Sequence, residues 1–213
     1  MTMMNLFESE NSQNFTSSPK TTKYDLPDAD VTLIENFFTT QESSDLITNL
    51  INDIAWQQHA ITIFGKKINQ PRLTAFYGDQ NKIYSYSRLV MNPMPWNEDL
   101  LFIKSRIESY INIKFTSVLL NYYRNGNDSM GWHADDEKEL GINPVIGSVS
   151  FGQTRTFQLK HIKRKDIKKV DMSLSNGSLL LMKGTTQHFW QHQIPKTSKF
   201  LDARINLTFR VIQ

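Results

Sequence analysis

The sequence predicts an α+β protein, mainly β with a few helices. Two helical patterns fall in the first half, and short strand signals lie between them. From residue 116 onward, strand patterns follow one another, separated by turn residues. Hydrophobic residues make up 39% of the 213 and aromatics 11%, enough for a buried core, so the chain is not intrinsically disordered.

Residues 1–25 are rich in Ser, Thr, Asn and Lys and read as a flexible tail. VTLIENFF (31–38) reads as a short strand. Thr39 or Thr40 then caps a helix over 41–56, whose stripe is Leu46, Ile47, Leu50, Ile51 and Ile54. ITIFGKK (61–67), LTAFYGD (73–79) and KIYSYSR (82–88) give strand signals in a loop-rich stretch. Asn97, following Pro95-Trp96, caps a second helix over 97–113 with Leu100, Leu101, Ile103, Ile107, Tyr110 and Ile111 as its apolar stripe. TSVLLNYY, PVIGSVSFG, RTFQLKH, SLLLM and ARINLTFRVI are the strands of the back half.

Composition narrows the chemistry. With no cysteine, disulfide scaffolds, thiol nucleophiles and thiolate metal sites are excluded, and any metal must use imidazole, carboxylate and water. A net charge of +3 permits nucleic acid as a partner without arguing for it. No apolar run approaches the ~20 residues of a membrane span, and the N-terminus lacks a basic stretch followed by an apolar core. The expectation is a soluble intracellular protein, cytoplasmic in a bacterium or nuclear in a eukaryote.

His133-Ala134-Asp135 carries the first chemical signal. In an extended segment, residues two apart point to the same side, so an imidazole and a carboxylate converge. Two histidines and one carboxylate form the facial triad of non-haem iron(II) oxygenases. By itself His-x-Asp is more often a pair of solvated loop residues. The third ligand would be a distant histidine, with His161, His188 and His192 as candidates. In the last strand Ile205, Leu207, Phe209 and Val211 alternate with Arg204, Asn206, Thr208 and Arg210, which puts both arginines on one face. At a sheet edge that face would simply be solvated. Turned into a barrel, the two guanidinium groups need anionic partners, which a dicarboxylate supplies bidentately. Asn121 and Tyr123, also two apart on a strand, offer hydrogen bonds to the same kind of ligand.

Taken together, the motifs NYYRNGNDSMGWHADDE (121–137), SVSFG (148–152), GSLLLM (177–182), HFWQHQIPKT (188–197) and RINLTFR (204–210) resemble the AlkB-like family of Fe(II)- and 2-oxoglutarate-dependent dioxygenases. FGKKINQPRLTAFYGD (64–79) resembles the front region of its subgroup that repairs alkylated DNA, and the resemblance covers about residues 30–213. It implies a double-stranded β-helix (jelly-roll) core over 116–213 behind an N-terminal nucleotide-recognition lobe over 26–115. It implies Fe(II), 2-oxoglutarate and O2 as cofactors. His133, Asp135 and His192 resemble the iron ligands, with His188 as possible support. Arg204 and Arg210 resemble the 2-oxoglutarate clamps, helped by Asn121, Tyr123 and Asn206.

The resemblance also implies oxidative demethylation of 1-methyladenine and 3-methylcytosine in DNA by base flipping, releasing formaldehyde, succinate and CO2. Tyr86 and His133 resemble the pair that sandwiches the flipped base, and Tyr84 and Asp136 the residues at its edge. Asp136 and Glu137 suit a cationic alkylated base. Ile63 and Phe64 resemble the apolar wedge that unstacks a duplex, unless they are core residues of a hairpin, and Arg72 is a weaker candidate for contact with the opened strands. Lys160, Lys163, Arg164, Lys165, Lys168 and Lys169 form a basic run around His161. Such runs are usually solvated loops; here the resemblance favours phosphate contact. The expected partner is alkylated DNA, single- or double-stranded, with the protein a monomer and no membrane involved. The rivals are a related dioxygenase acting on RNA or protein, and a nucleic-acid-binding module with a degenerate metal site. The intact ligand and arginine sets count against the latter.

Overall fold

A computed structural model describes residues 18–63, 66–86 and 89–213, without the side chains of 61–63, 66, 85, 86, 89 and 90. In chain order the strands and helices are β1 (Lys20–Tyr24), β2 (Asp30–Glu35), α1 (Thr40–Asp53), β3 (Ala60–Ile63), β4 (Lys66–Asn69), β5 (Leu73–Gly78), β6 (Tyr84–Tyr86), β7 (Leu89–Met91), α2 (Glu98–Ile111), β8 (Ser117–Tyr123), β9 (Met130–His133), β10 (Ile146–Gly152), β11 (Arg155–His161), β12 (Val170–Leu174), β13 (Ser178–Lys183), α3 (Thr186–Phe189), β14 (Trp190–Ile194) and β15 (Arg204–Arg210).

Both long helices start at their sequence caps. Thr39 closes a capping box with Glu42 at the head of α1, and Asn97 accepts from Leu100 N at 2.9 Å at the head of α2. Both stop short of the expected ends. Ile54 is already extended, and the Trp56 indole donates to Leu50 O at 3.0 Å, occupying a carbonyl of the last turn of α1. Asn112 turns left-handed (φ 55°) and ends α2.

Among the described residues, the strands form a seven-stranded sheet in the order β1-β2-β13-β10-β15-β8-β5 and a four-stranded sheet in the order β12-β11-β14-β9, with β3-β4 and β6-β7 as separate ribbons. Every pairing between these strands is antiparallel among the described residues. The seven-stranded sheet has a core on each side. On one side Leu50, Ile103 and Ile107 of the helices pack on Val149, Leu207 and Phe209; on the other Leu119, Leu180 and Met182 meet Phe157, Leu159 and Trp190 of the smaller sheet. Two facing antiparallel sheets backed by helices are the jelly roll expected from the motifs.

Two boundaries differ from expectation. The tail expected over 1–25 ends earlier, because Lys20–Tyr24 is an edge strand. Its polar KTTKY sequence pairs along β2, with Lys20–Glu35 (3.5 Å) and Lys23–Asp30 (3.8 Å) ion pairs across the strands. Residues 1–17 lie outside the described residues. The boundary expected at 115/116 does not separate two sheets either. β2 pairs with β13 and β5 with β8, so strands of the expected lobe complete the main sheet.

Glu108 offers a stability test. Its buried carboxylate accepts from Lys104 Nζ (2.8 Å), Lys114 Nζ (2.9 Å) and Phe115 N (2.8 Å). Burial alone would raise its pKa, but these partners outweigh burial and hold it below the ordinary value. A depressed carboxyl contributes stability above its unfolded pKa, and that contribution is lost as pH falls through the folded pKa. Glu108→Gln is therefore expected to cost about 1–3 kcal/mol at neutral pH and to flatten the acid side of the melting-temperature profile. An unchanged profile would show that the cluster contributes nothing net.

Candidate metal centre

The polar face of β15 points inward because the helices claim its other face. Ile205, Leu207 and Phe209 pack in the helical core, while Arg204, Asn206, Thr208 and Arg210 are buried between the sheets. Register sets Arg204 opposite Tyr123, Asn206 opposite Asn121, and Ser150 opposite Asn206. Gly152, at the end of β10, lies opposite Arg204 with φ +85°; a Cβ there would sit 2.4 Å from the Ala203 carbonyl oxygen, so this corner requires glycine.

The second sheet brings the metal-ligating groups. His133 ends β9 and pairs directly with His192 of β14, with ring centroids 4.1 Å apart. Asp135 lies two residues beyond His133. One ligand atom from each of the three residues can be chosen so that all lie within 4.8 Å of one another. His133 Nδ1 is 2.8 Å from Gly131 O, which leaves Nε2 as the ligand atom. Asp135 is held from both sides: its N–H donates to Gln187 Oε1 (2.9 Å) and its Oδ1 accepts from Arg210 Nη2 (2.8 Å).

Electrostatics put these groups in the right protonation states for a cation. Burial pushes the His192 imidazole down to about 3, with His133 adding to the effect, and burial also lowers His133. For Asp135 burial acts to raise the pKa, but Arg210 and the two histidines bring it down to about 2. Two neutral imidazoles and one ionised carboxylate fit a facial iron(II) site. The other histidine candidates lie elsewhere. His161 is buried against Trp190 and Asp28 and accepts from Lys163 N and Arg164 N, and exposed His188 contacts Asn143 Oδ1 at 3.0 Å rather than supporting the site.

Next to this cluster, Asn121, Tyr123, Arg204 and Arg210 line the same cavity. Arg204 donates to Ser150 Oγ (2.9 Å) and sits 5.1 Å over the Tyr123 ring. Its Nε and Nη1 find no hydrogen-bond partner among the described residues, and burial draws its pKa down to about 10. A buried guanidinium with unmatched donors calls for an anion. Asn206 lines the cavity but gives its amide hydrogens to Ser148 Oγ (2.8 Å) and Val149 O (2.9 Å), so it braces β10.

The expected substrate residues are more scattered. Asp136 is exposed and Glu137 half-buried, with burial raising the pKa of Glu137. Tyr84 is fully buried, stacked on Phe76 (5.6 Å) and facing Arg210 (5.2 Å). Tyr86 lies on β6 with its side chain undescribed, as is that of Ile63, and Phe64 lies outside the described residues. Lys160 Nζ lies 4.3 Å over Trp132. Lys163, Arg164 and Lys165 are exposed in the β11–β12 connection, where Arg164 pairs with Asp166 at 2.6 Å. Arg72 corrects the reading as a duplex contact: it is buried, and its donors go to Asn121 Oδ1 (2.7 Å) and Ser129 O (3.2 Å). Burial against β8 keeps it from a surface strand. Sequence reasoning missed Gln187, Ser148, Ser150 and Arg155, which donates to the carbonyls of Asn125, Asp128 and Pro195. The alternation in SVSFG was a usable signal for the serines; Gln187 and Arg155 carried none.

A family model for the 2OG-Fe(II) oxygenase superfamily matches residues 30–210. The chain is 40% identical over 190 residues to the alpha-ketoglutarate-dependent dioxygenase alkB homolog 3 of Bos taurus, and equally to that of Homo sapiens, covering 85% of this chain and 66% of each relative. It therefore spans just under two thirds of their length. It is 35% identical over 184 residues to the DNA oxidative demethylase ALKBH2 of Homo sapiens, covering 82% of this chain and 70% of that protein. The solved structure of OsALKBH1 shares the fold, with a TM-score of 0.65 at 16% identity over 89% of this chain and 99% of that one. With its facial ligand set and buried arginines already in place, the chain belongs to the 2OG-Fe(II) oxygenase superfamily, as an AlkB-like member.

Proposed function

We propose that this protein oxidatively demethylates N-alkylated bases in DNA, with 1-methyladenine and 3-methylcytosine as substrates. The observation that carries the reading is one cavity joining a His133–Asp135–His192 cluster to the unmatched guanidinium of Arg204. Iron(II) would be held by the three ligands, and the carboxylates of 2-oxoglutarate by Arg204 and Arg210 with Asn121 and Tyr123. When bound, the metal with 2-oxoglutarate and O2 supplies the oxidation that converts an N-methyl group to a hydroxymethyl group. That product releases formaldehyde, and the cosubstrate leaves as succinate and CO2.

The protein's own groups prepare these steps. Arg210 keeps Asp135 ionised at the bottom of a buried site. Burial keeps both imidazoles unprotonated at neutral pH, so no proton competes for the metal. The surrounding apolar residues Leu119, Phe157 and Met182 limit water around the reacting centre. A base inside a duplex cannot reach this depth, so it must be extruded at a cost of roughly a few kcal/mol. Tyr86 and His133 are assigned to stacking, Asp136 and Glu137 to the base edge with buried Tyr84 behind Glu137, and Ile63-Phe64 to the vacated gap. Relatives named DNA oxidative demethylase support DNA over protein as the substrate.

The test is incubation with iron(II), 2-oxoglutarate, ascorbate and methylated oligonucleotides, single- and double-stranded, scored for restored bases and succinate. Restoration is expected on DNA. Restoration confined to RNA would move the substrate, and no 2-oxoglutarate turnover with any nucleic acid would end the proposal. The exposed lysines of the β11–β12 connection are assigned to phosphates. Lys163→Gln with Lys165→Gln is expected to reduce the slope of log affinity against log salt by about 1–2 for duplex DNA. An unchanged slope would leave these lysines as a solvated loop.

A further inference from the structure

We infer that Arg72 is a positioning residue for the cosubstrate, fixing the orientation of the Asn121 amide so that its nitrogen faces the cavity. The inference rests on the reading of that cavity as a 2-oxoglutarate pocket. Arg72 immediately precedes β5, three residues past the end of the β3–β4 hairpin at Asn69. Its side chain is buried, with Nε donating to Asn121 Oδ1 at 2.7 Å and Nη1 to Ser129 O at 3.2 Å.

The chemistry of the two groups decides the orientation. A guanidinium has donors and no acceptor, whereas a primary amide has one end of each kind. Beside Arg72 only the amide oxygen of Asn121 is tolerated, so the NH2 end is turned away. Asn121 lines the cavity opposite Asn206, two residues along each strand from the Tyr123–Arg204 pair and so on the same face. A donor there complements a carboxylate; the flipped amide would set oxygen against oxygen. The same segment is braced from the backbone, since Ser129 N donates to Pro71 O (2.8 Å) and Gln70 N to His59 O (2.8 Å). Arg72 thus joins the base of the front hairpin, the β8 residue facing the cavity and the loop leading to the His133 strand.

The test measures binding rather than turnover. Protein loaded with manganese(II) is titrated with 2-oxoglutarate by calorimetry, for the full chain and for Arg72→Gln, Arg72→Lys, Asn121→Ala and the Arg72→Gln/Asn121→Ala double variant. Arg72→Gln can present either amide end to Asn121 and is expected to weaken binding roughly ten-fold, the size of one hydrogen bond to a charged group. Arg72→Lys keeps a donor-only cation and is expected to restore most of the affinity. In the Asn121→Ala background, Arg72→Gln should have no further effect, because its action runs through the missing amide. Wild-type affinity in Arg72→Gln, or the same ten-fold loss persisting without Asn121, overturns the inference. If the unaltered protein binds no 2-oxoglutarate, the pocket reading itself falls and takes this inference with it; a bound cosubstrate with an inert Arg72 variant removes the inference alone.

Discussion

Asp135→Ala is expected to abolish both iron(II) binding and turnover, and to destabilise the fold. In the proposed site the carboxylate is one of three ligands, so its removal leaves two imidazoles that cannot hold a labile divalent ion at a useful affinity. It is also the buried partner of Arg210, at 2.8 Å. Breaking a buried pair from one side leaves the other charge uncompensated, which costs about 3–5 kcal/mol and would lower the melting temperature by about 10 °C for a chain of this size. Asp135→Asn keeps an acceptor for Arg210 and should lose less stability while remaining inactive. The pair also sets a pH limit. Because the folded pKa of Asp135 is depressed to about 2, its contribution is present above the unfolded value and drains away as pH falls through the folded one. Metal titration and thermal melts of the two variants check this, and a turning-over Asp135→Ala protein would remove Asp135 from the site.

Arg204→Met is expected to act in opposite directions on binding and stability. Cosubstrate affinity should fall at least 100-fold, since the charge-assisted contact proposed between Arg204 and a 2-oxoglutarate carboxylate disappears. The metal-free protein should be no less stable, and up to about 2 kcal/mol more stable, because a fully buried cation with unmatched Nε and Nη1 gives way to an apolar side chain of similar length. A melt compared with a 2-oxoglutarate titration separates the two effects. If both fall together, Arg204 is a structural cation and the pocket needs another anchor.

The sequence made some elements plain for physical reasons. Thr39 and Asn97 announce α1 and α2 because caps and stripes are local. β15 announces itself because its two faces differ so sharply, although which face turns inward depends on the helices that cover Ile205 and Phe209. His133 and Asp135 were legible as neighbours, whereas the choice of His192 over His161 and His188 needed the resemblance, since spacing alone does not separate three distant histidines. Elements defined by their neighbours were hidden. β1 is polar and exists through its ladder to β2. β12 alternates Val170, Met172 and Leu174 just after a basic run that masks it. Arg72 looked like a surface cation because nothing in its own segment reveals that β8 and the 129 backbone close over it.

The seam between β2 and β13 bears on how the protein is made. Ile34 lies opposite Leu179, Trp190 donates to Pro27 O at 2.9 Å, and Asp30 N donates to Thr186 Oγ1 at 2.9 Å. These contacts fasten residues 27–34 to the segment that carries His192, across more than 140 positions of chain. Such non-local pairing raises the contact order and slows folding. A chain still emerging from the ribosome would hold β2 open on its β13 side until β13 and β14 arrive, so His133 and Asp135 meet His192 only after residues through β14 have been synthesised.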